Sequence, residues 1–203
     1  MPSPLIHVVG LDVQLGIEDE FIRWYDTEHL PTLLKRPGWS GARRYECLEG
    51  EPRCLTIFTV GEEALSERMS ATPFGDPAFG NQVRDYAART WRRIFSLGED
   101  PLSADLINLI TVDIEPDHAA AFSRWYNEVH VPEIVACPGW LGGSRYESLD
   151  GDPRFMAIYG LEDELRPFTS EEHGAVVGWD EHVDQIRGYH GFRIYRLVEE
   201  IGG

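Results

Sequence analysis

An internal repeat constrains this chain more than any other feature. Residues 21–53 return as residues 122–154 with 17 of 33 positions identical, no gap and a constant offset of 101. Similarity at so long a period indicates two copies of a domain-sized unit rather than the short units of a solenoid. The 203 residues suffice for two domains that each bury a core. We therefore predict a first repeat at 1–98, a linker at 99–104 and a second repeat at 105–203.

Both copies show the same order of elements. In the first copy, apolar patterning and turn residues predict strand, helix, strand, strand, helix and strand, at 5–13, 16–35, 39–48, 53–60, 76–88 and 92–97. The second copy repeats this order at 106–114, 117–136, 140–149, 154–161, 175–187 and 192–197. The first helix of each copy contains a proline, Pro31 or Pro132, which should kink or divide it because proline lacks an N–H.

The order β-α-β-β-α-β is that of a ferredoxin-like unit, so the predicted fold class is α+β. Two helices would cover one face of four antiparallel strands and leave the other face in need of a cover. The second copy can supply that cover. The prediction is thus two ferredoxin-like repeats that form a pseudo-dimeric α+β barrel within one chain.

Composition limits the partners and the compartment. A formal net charge of −17 and a pI near 4.7 repel phosphate backbones and anionic lipid headgroups, so we expect neither nucleic-acid nor membrane partners. The sequence shows no basic, apolar leader and no long apolar run, which favours the cytoplasm. The three cysteines, Cys47, Cys54 and Cys137, have no cysteine at the matching position of the other copy, so a disulfide framework is not expected.

The repeated helix carries the candidate catalytic residues. Tyr25 and His29 lie four residues apart, as do Tyr126 and His130, which places a phenol and an imidazole on one helix face. Histidine is the natural acid–base group near neutral pH. Asp26, one turn before His29, would favour the protonated imidazole and is a further candidate. The alternative is that these residues belong to the core, with each imidazole bonded to a backbone carbonyl.

The strand that follows the helix carries candidate binding residues. By the two-residue period, Arg44 and Glu46 share one face, while Trp39 and Tyr45 share the other, and Arg145 repeats the position of Arg44. These arginines either pair with charges across the sheet or bind a carboxylate or enolate-like oxygen. Four tryptophans would suit a flat apolar ligand, namely Trp24, Trp39, Trp125 and Trp140.

The end of the second copy is rich in histidine. His173, His182 and His190, with Trp179, have no equivalents in the first copy when the copies are aligned at an offset of 100. Their spacing fits no standard zinc pattern, so surface or helix-capping histidines are the preferred interpretation, and no metal is expected. The chain also lacks the phosphate-binding, dinucleotide-binding, serine-elbow and zincin motifs.

The repeated string Trp-Tyr-x-x-x-His-x-Pro, followed by Pro-Gly-Trp, Arg-Tyr-Glu and Gly-x-Pro-Arg, resembles the dimeric α+β barrel superfamily and, within it, the EthD-like branch. This resemblance implies a cavity beside the sheet, with both histidines pointing inward. Most relatives are homodimers of one unit, so the chain would be a single-chain version, with further homo-oligomers left open. The superfamily includes cofactor-free monooxygenases, lactone isomerases, polyketide cyclases and haem-binding enzymes.

The favoured hypothesis is an enzyme without an organic cofactor that moves protons on a compact aromatic or polyketide-like substrate. Isomerisation, cyclisation and dehydration or another lyase step each need a positioned base, a positioned acid and a stabilised oxyanion. One alternative is a non-catalytic barrel that binds a hydrophobic ligand or serves a structural role. Another is a cofactor-free or haem-dependent oxygenase. Retention of the Tyr/His pair in both copies, with different acids nearby, favours two unequal pockets.

Overall fold

The computed structural model describes residues 5–66, 79, 82–176 and 182–202, without the side chains of 183 and 190–192. The chain divides into two compact units, Met1–Trp91 with Leu197–Gly203, and Arg92–Arg196. The divisions fall inside two long strands, so each unit contains one part of each. These units differ from the sequence repeats predicted at 1–98 and 105–203, and the repeat boundaries stay a prediction.

Unit 1 begins with strand β1 and a divided helix. Its elements are β1 (Leu5–Val13), α1 (Glu18–Trp24), a π-helical turn (Tyr25–His29), α2 (Leu30–Leu33), β2 (Trp39–Cys47), β3 (Cys54–Val60), α3 (Glu63–Ser66) and the first part of β4 (Val83–Gly98). β3 pairs antiparallel with both β1 and β2. The end of β8 (Ile186–Ile201) lies beside β2, where Arg43 bonds to Glu200.

Unit 2 repeats this arrangement. Its elements are the rest of β4, a 3₁₀ turn (Pro101–Ser103), β5 (Leu106–Ile114), a 3₁₀ turn (Pro116–His118), α4 (Ala119–Trp125), a π-helical turn (Tyr126–His130), α5 (Val131–Val135), β6 (Trp140–Ser148), β7 (Phe155–Leu161), α6 (Arg166–Thr169), α7 (Glu171–Gly174), a 3₁₀ turn (Val183–Gln185) and the first part of β8. The sheet order is β8–β5–β7–β6–β4. The predicted α+β, ferredoxin-like fold class is confirmed.

Each π-helical turn ends two residues before one of the two prolines. Leu30 N–H bonds to the carbonyl of Tyr25, and Val131 N–H bonds to that of Tyr126, so both bonds span five residues. A proline after this point cannot donate to the preceding turn and crowds it, which favours a locally wider helix. The prediction that proline divides the first helix is confirmed in both units.

Each unit has its own hydrophobic core between the divided helix and the sheet. In unit 1, Phe21, Tyr25 and Leu30 pack on the sheet residues Leu11 and Phe58. In unit 2, the core joins α4, the π turn and α5 to β5, β6 and β7. All three cysteines are buried, and none of them forms a disulfide within the described residues. Within the described residues, no helix is long and apolar enough to cross a membrane.

The second helix predicted in each copy is wrong over the residues that form strand, while a 3₁₀ turn (Val183–Gln185) lies within the second predicted range. Residues 83–88 belong to β4, and residues 186–187 belong to β8, while 76–78, 80–81 and 177–181 lie outside the described residues. Asp85 has a φ of 48°, and such an irregular residue shifts the alternation of a strand. The core-packed Val83 and Tyr86 are therefore three residues apart and imitate helical spacing.

Candidate functional site

The candidate site of each unit lies where the π turn faces the sheet. In unit 1, Arg44 on β2 is 8% exposed and points at the turn. Its Nε and Nη2 donate to the two carboxylate oxygens of Asp26 at 2.7 and 2.6 Å. Burial opposes the charge, but the bonds and the charge of Asp26 outweigh it and raise the pKa of Arg44. Asp26 thus pairs with arginine, whereas the sequence suggested it as a partner of His29.

Tyr25 and His29 form a stacked pair on the unit 1 turn. Their ring centroids are 5.0 Å apart with planes inclined by 27°, and Trp24 lies 5.0 Å from His29 on another side. The Tyr25 hydroxyl donates to Thr56 Oγ1 at 3.1 Å. Burial is the main cause that raises the pKa of Tyr25. Tyr25 is therefore a buried neutral phenol, and His29 is a half-buried ring held between two aromatic neighbours.

In unit 2 the equivalent arginine has a different environment. Arg145 is 1% exposed, and its Nη1 donates to Ser123 O at 3.0 Å, Ser123 Oγ at 3.1 Å and Asn127 Oδ1 at 2.7 Å. Asn127 stands where unit 1 has Asp26. Nη2 is buried and has no hydrogen-bond partner among the described residues. Burial lowers the pKa of Arg145, so this guanidinium is costly to bury.

Aromatic rings surround the Arg145 guanidinium. Its Cζ lies 4.3 Å from the ring centroid of Tyr126, 5.1 Å from that of Phe155 and 6.0 Å from that of Phe122. These are cation–π distances. The Tyr159 hydroxyl donates to that of Tyr126 at 3.4 Å, and burial raises the pKa of both phenols. The site therefore combines a buried cation with two neutral phenols, and the sequence alone did not indicate Tyr159.

His130 contacts the same Tyr126 ring on which the Arg145 guanidinium packs. It is 7% exposed, stacks on Trp125 at 5.1 Å and meets Tyr126 edge-on at 4.7 Å. His182 packs against the same tryptophan at 4.6 Å. This half-buried position differs from the surface or capping role expected for His182. In unit 1, Phe79 packs on Trp24 at 5.0 Å in the corresponding way, so the two copies are related here by 103 residues rather than 100.

Two of the predicted tryptophans, Trp39 and Trp140, pack on the face of the sheet that the helices cover. Trp39 packs on Phe58 at 4.9 Å and on His7 at 5.5 Å, which places it on the same face as Arg44. The prediction that it shares the opposite face with Tyr45 is wrong, because a β-bulge shifts the register between Trp39 and Gly41.

Its counterpart in unit 2 is Trp140, which is 6% exposed. The indole Nε1 of Trp140 donates to Pro167 O at 2.9 Å, and the ring stacks on His173 at 5.5 Å. Burial lowers the pKa of His173. His173 therefore packs on the core tryptophan rather than standing alone on the surface, while Trp179 lies outside the described residues, as does the side chain of His190.

The glutamates of the Arg-Tyr-Glu motif form ion pairs across the hairpins. Glu46 accepts from Arg53 at 3.4 Å, and Glu147 accepts from Arg154 at 2.9 Å. These pairs are largely exposed and contribute little to stability. The cross-sheet pairing that the sequence offered as an alternative thus applies to the glutamates, while Arg44 turns to the helix.

Unit 1 contains a cavity of about 540 Å³ between α1 and the sheet. Of the predicted site residues, Arg44 lines it. Its apolar wall includes Leu11, Phe21 and Ile22, and its charged residues are mostly acidic. A volume of this size suits a compact ligand of two or three rings.

Beside this cavity, the carboxylates of Asp12, Glu51 and Asp85 lie within 4.8 Å of one another. Glu51 and Asp85 are exposed, and solvated acids gather in this way without an ion. The cluster therefore does not change the expectation of no metal.

Comparisons with known proteins show the fold. No family model matches the chain, and no curated protein matches it. An anthrone oxidase-like protein is similar at 13% identity and a TM-score of 0.66, covering 98% of this chain and 94% of the other. A mutant chlorite dismutase from Candidatus Nitrospira defluvii is similar at 11% identity and a TM-score of 0.63, covering 98% and 93%.

A monooxygenase-like protein from Listeria innocua is similar at 10% identity and a TM-score of 0.51, covering 97% and 95%. All of these likenesses extend over nearly the whole of both chains. At such low identity they show a shared fold, and the chemistry has to be argued from the side chains.

Proposed function

We propose that the chain is a small-molecule enzyme that moves protons on a compact aromatic, enolisable substrate without an organic cofactor. The observation that carries this proposal is the buried Arg145 guanidinium, which meets the face of Tyr126 while His130 meets its edge. A preorganised cation in a dry site stabilises a developing oxyanion strongly. His130, which contacts the same phenol ring, supplies a general base near neutral pH.

In this mechanism His130 removes a proton from a carbon next to the substrate carbonyl or, as in anthrone, from a methylene conjugated with that carbonyl through the aromatic rings. The electron pair of that C–H bond moves to the carbonyl oxygen, which becomes the oxyanion of an enolate. Arg145 stabilises that oxygen through N–H donors, and the neutral phenol of Tyr126 or Tyr159 can donate to it. Return of the proton to another carbon gives isomerisation, while expulsion of a leaving group gives a lyase step.

The side chains in unit 1 have related but altered roles in this proposal. Arg44 is already paired with Asp26, and the Tyr25 hydroxyl is bonded to Thr56. The cavity beside Arg44 is the space in which unit 1 would hold a ligand of its own. We therefore propose two unequal pockets, with the proton chemistry in unit 2.

The same relations support two further proposals about origin. The π turns, the second strands and the hairpins of the two units correspond at the offset of 101. This correspondence favours tandem duplication of one ferredoxin-like unit. The repeated Tyr/His string favours kinship with the EthD-like branch. Cytoplasmic localisation and further self-association stay predictions.

A cofactor-free oxygenase is the second candidate. It is favoured by the structural similarity to an anthrone oxidase-like protein and to a monooxygenase-like protein. A haem-dependent version has less support. Trp125 stacks on the His130 ring at 5.1 Å, and Tyr126 meets the same ring at 4.7 Å. A histidine packed between two aromatic rings does not fit the axial ligand of a haem, so no step is routed through one.

Anthrone provides a test that separates the candidates. Incubated with the protein in D₂O, it should exchange its methylene protons for deuterium faster than in buffer, as followed by proton NMR, with no uptake of oxygen. His130→Gln should lower the exchange rate about 100-fold or more, the usual contribution of a general base. The matched His29→Gln variant measures the share of unit 1. Oxygen uptake would instead favour the oxygenase, and binding without exchange or uptake would favour a non-catalytic binding protein.

A further inference from the structure

We infer that unit 2 contains a single anion-binding subsite, in which Nη2 of Arg145 receives the carboxylate, or a comparable oxyanion, of an aromatic ligand. Unit 1 lacks such a subsite because Asp26 already occupies the equivalent place. The inference rests on the proposed function insofar as it gives that substrate a negative charge. Its test does not depend on turnover.

Unit 1 shows what this kind of subsite looks like when it is filled. Asp26 reaches Arg44 from the π turn, and both of its oxygens accept from the guanidinium. Such a bidentate pair is the preferred geometry between arginine and carboxylate. The side chains of Arg44 and Asp26 are 10% and 18% exposed, so the pair is largely shielded from water.

Unit 2 has the same frame without the carboxylate. Asn127 takes the sequence position of Asp26 but offers a neutral oxygen, and that oxygen contacts Nη1 only. The remaining acceptors, on Ser123, are neutral and also contact Nη1. Nη2 is left with buried donors and no partner among the residues described. A buried charge in this state attracts an anion, which would relieve the desolvation cost.

The surroundings favour an aromatic anion over a small inorganic one. Phe122, Tyr126 and Phe155 bring their rings to within 4.3–6.0 Å of the guanidinium carbon. Tyr159 adds a phenol that bonds to Tyr126. These rings make the surroundings of Nη2 apolar, which favours the carboxylate of an aromatic ligand over a strongly hydrated inorganic anion.

Isothermal titration with 1-naphthoate tests the inference, with 1-naphthamide as the neutral probe of nearly the same shape. We expect one naphthoate per chain, bound at least about tenfold more tightly than the amide, since a charge-assisted bond to arginine is roughly twice as strong as a neutral one. Equal affinity for the two probes would overturn the inference, as would two equivalent naphthoate sites.

Asn127→Asp provides the decisive variant, because it places the unit 1 carboxylate into unit 2. Naphthoate affinity should fall at least about tenfold, while thermal unfolding shows that the fold is kept. Asn127→Leu is the matched control, since it removes the amide without adding a charge, and it should lose far less affinity. Unchanged naphthoate binding in Asn127→Asp would contradict the inference.

The naphthoate and anthrone experiments together distinguish a failure of the anion subsite from a failure of the proposed function. Naphthoate binding that Asn127→Asp abolishes, together with no proton exchange on anthrone, would keep the anion subsite and reject the enzyme. Exchange on anthrone that naphthoate does not inhibit would keep the enzyme and reject the anion subsite. Titration with phosphate tests whether the subsite prefers an aromatic anion. Binding of phosphate as tight as that of naphthoate would contradict this preference.

Discussion

The two units place an arginine at the same point of the same strand and treat its charge in opposite ways. Arg44 gives both arms of its fork to Asp26, whereas Arg145 bonds three neutral oxygens through one nitrogen and stacks on aromatic rings. The difference between aspartate and asparagine on the π turn decides whether the guanidinium has a carboxylate partner. The fold therefore positions the guanidinium in both units. The residue on the π turn, Asp26 or Asn127, determines whether a ligand carboxylate can pair with it.

Alkaline pH should expose the largest difference between the units. Burial raises the pKa of Tyr25, Tyr126 and Tyr159, so each keeps its proton in the folded state while the unfolded chain ionises above about pH 10. Stability is thus complete below pH 10 and is lost as pH rises above it, by up to about 1.4 kcal/mol per pH unit for each phenol. Urea unfolding between pH 8 and 11.5, followed at the tyrosinate absorbance, measures this loss.

Unit 2 holds two of these three phenols, so its share of the alkaline loss should be larger. Tyr159→Phe should therefore reduce the alkaline loss, and Tyr25→Phe provides the matched variant in unit 1. Tyr86 and Tyr189, whose pKa values burial raises to about 12, add one further phenol to each unit and leave the comparison unchanged. Tyrosinate absorbance that appears before unfolding would contradict the buried positions of these rings.

Replacing each arginine by methionine should break the symmetry next. Arg44→Met leaves the Asp26 carboxylate without its partner and should cost about 3 kcal/mol of unfolding free energy. Arg145→Met removes a buried cation that lacks a carboxylate, so its cost should stay within about 1 kcal/mol. Chemical denaturation of both variants measures the contrast. Equal costs would mean that the arginines are held by the same interactions.

Asn127→Asp should sharpen the comparison by making unit 2 resemble unit 1. The new carboxylate would pair with Arg145 and is expected to raise the unfolding free energy by about 1–2 kcal/mol, as a buried charge gains its partner. Thermal and urea unfolding both report this change. A loss of stability would show that the guanidinium is already compensated by its rings and neutral acceptors.

Tyr159→Phe should have the smallest effect at neutral pH. Its hydroxyl bond to Tyr126 is long, at 3.4 Å, and unit 1 has Phe58 at the equivalent position. The variant should cost less than about 1 kcal/mol. Urea unfolding at pH 7 checks the value, and a loss of several kcal/mol would show that the phenol pair is a main support of unit 2.

The sequence predicts much of the structure around the candidate site. Helical spacing, Pro-Gly stops and the internal prolines predict the divided first helix and place Tyr25 beside His29, because these signals act within a few residues. The hairpins follow from turn residues in the same way. The alternation of β2 puts Arg44 and Glu46 on one face, as expected.

Other parts depend on contacts that no local pattern contains. The irregular Asp85 gives β4 an apparently helical spacing, and the bulge beside Trp39 reverses the face of that residue. The Asp26 carboxylate has His29 three residues away in the chain, yet it pairs with an arginine 18 positions later. Tyr159 enters the site from another strand. Such choices are made by packing between elements, which sequence spacing alone does not show.

A crystal structure of the protein grown with 1-naphthoate tests the central difference most directly. We expect the naphthoate carboxylate within hydrogen-bond distance of Arg145 Nη2, with Arg44 still bonded to Asp26. A naphthoate at Arg44 instead, or an Nη2 bonded to the protein itself with no ligand near it, would contradict the account.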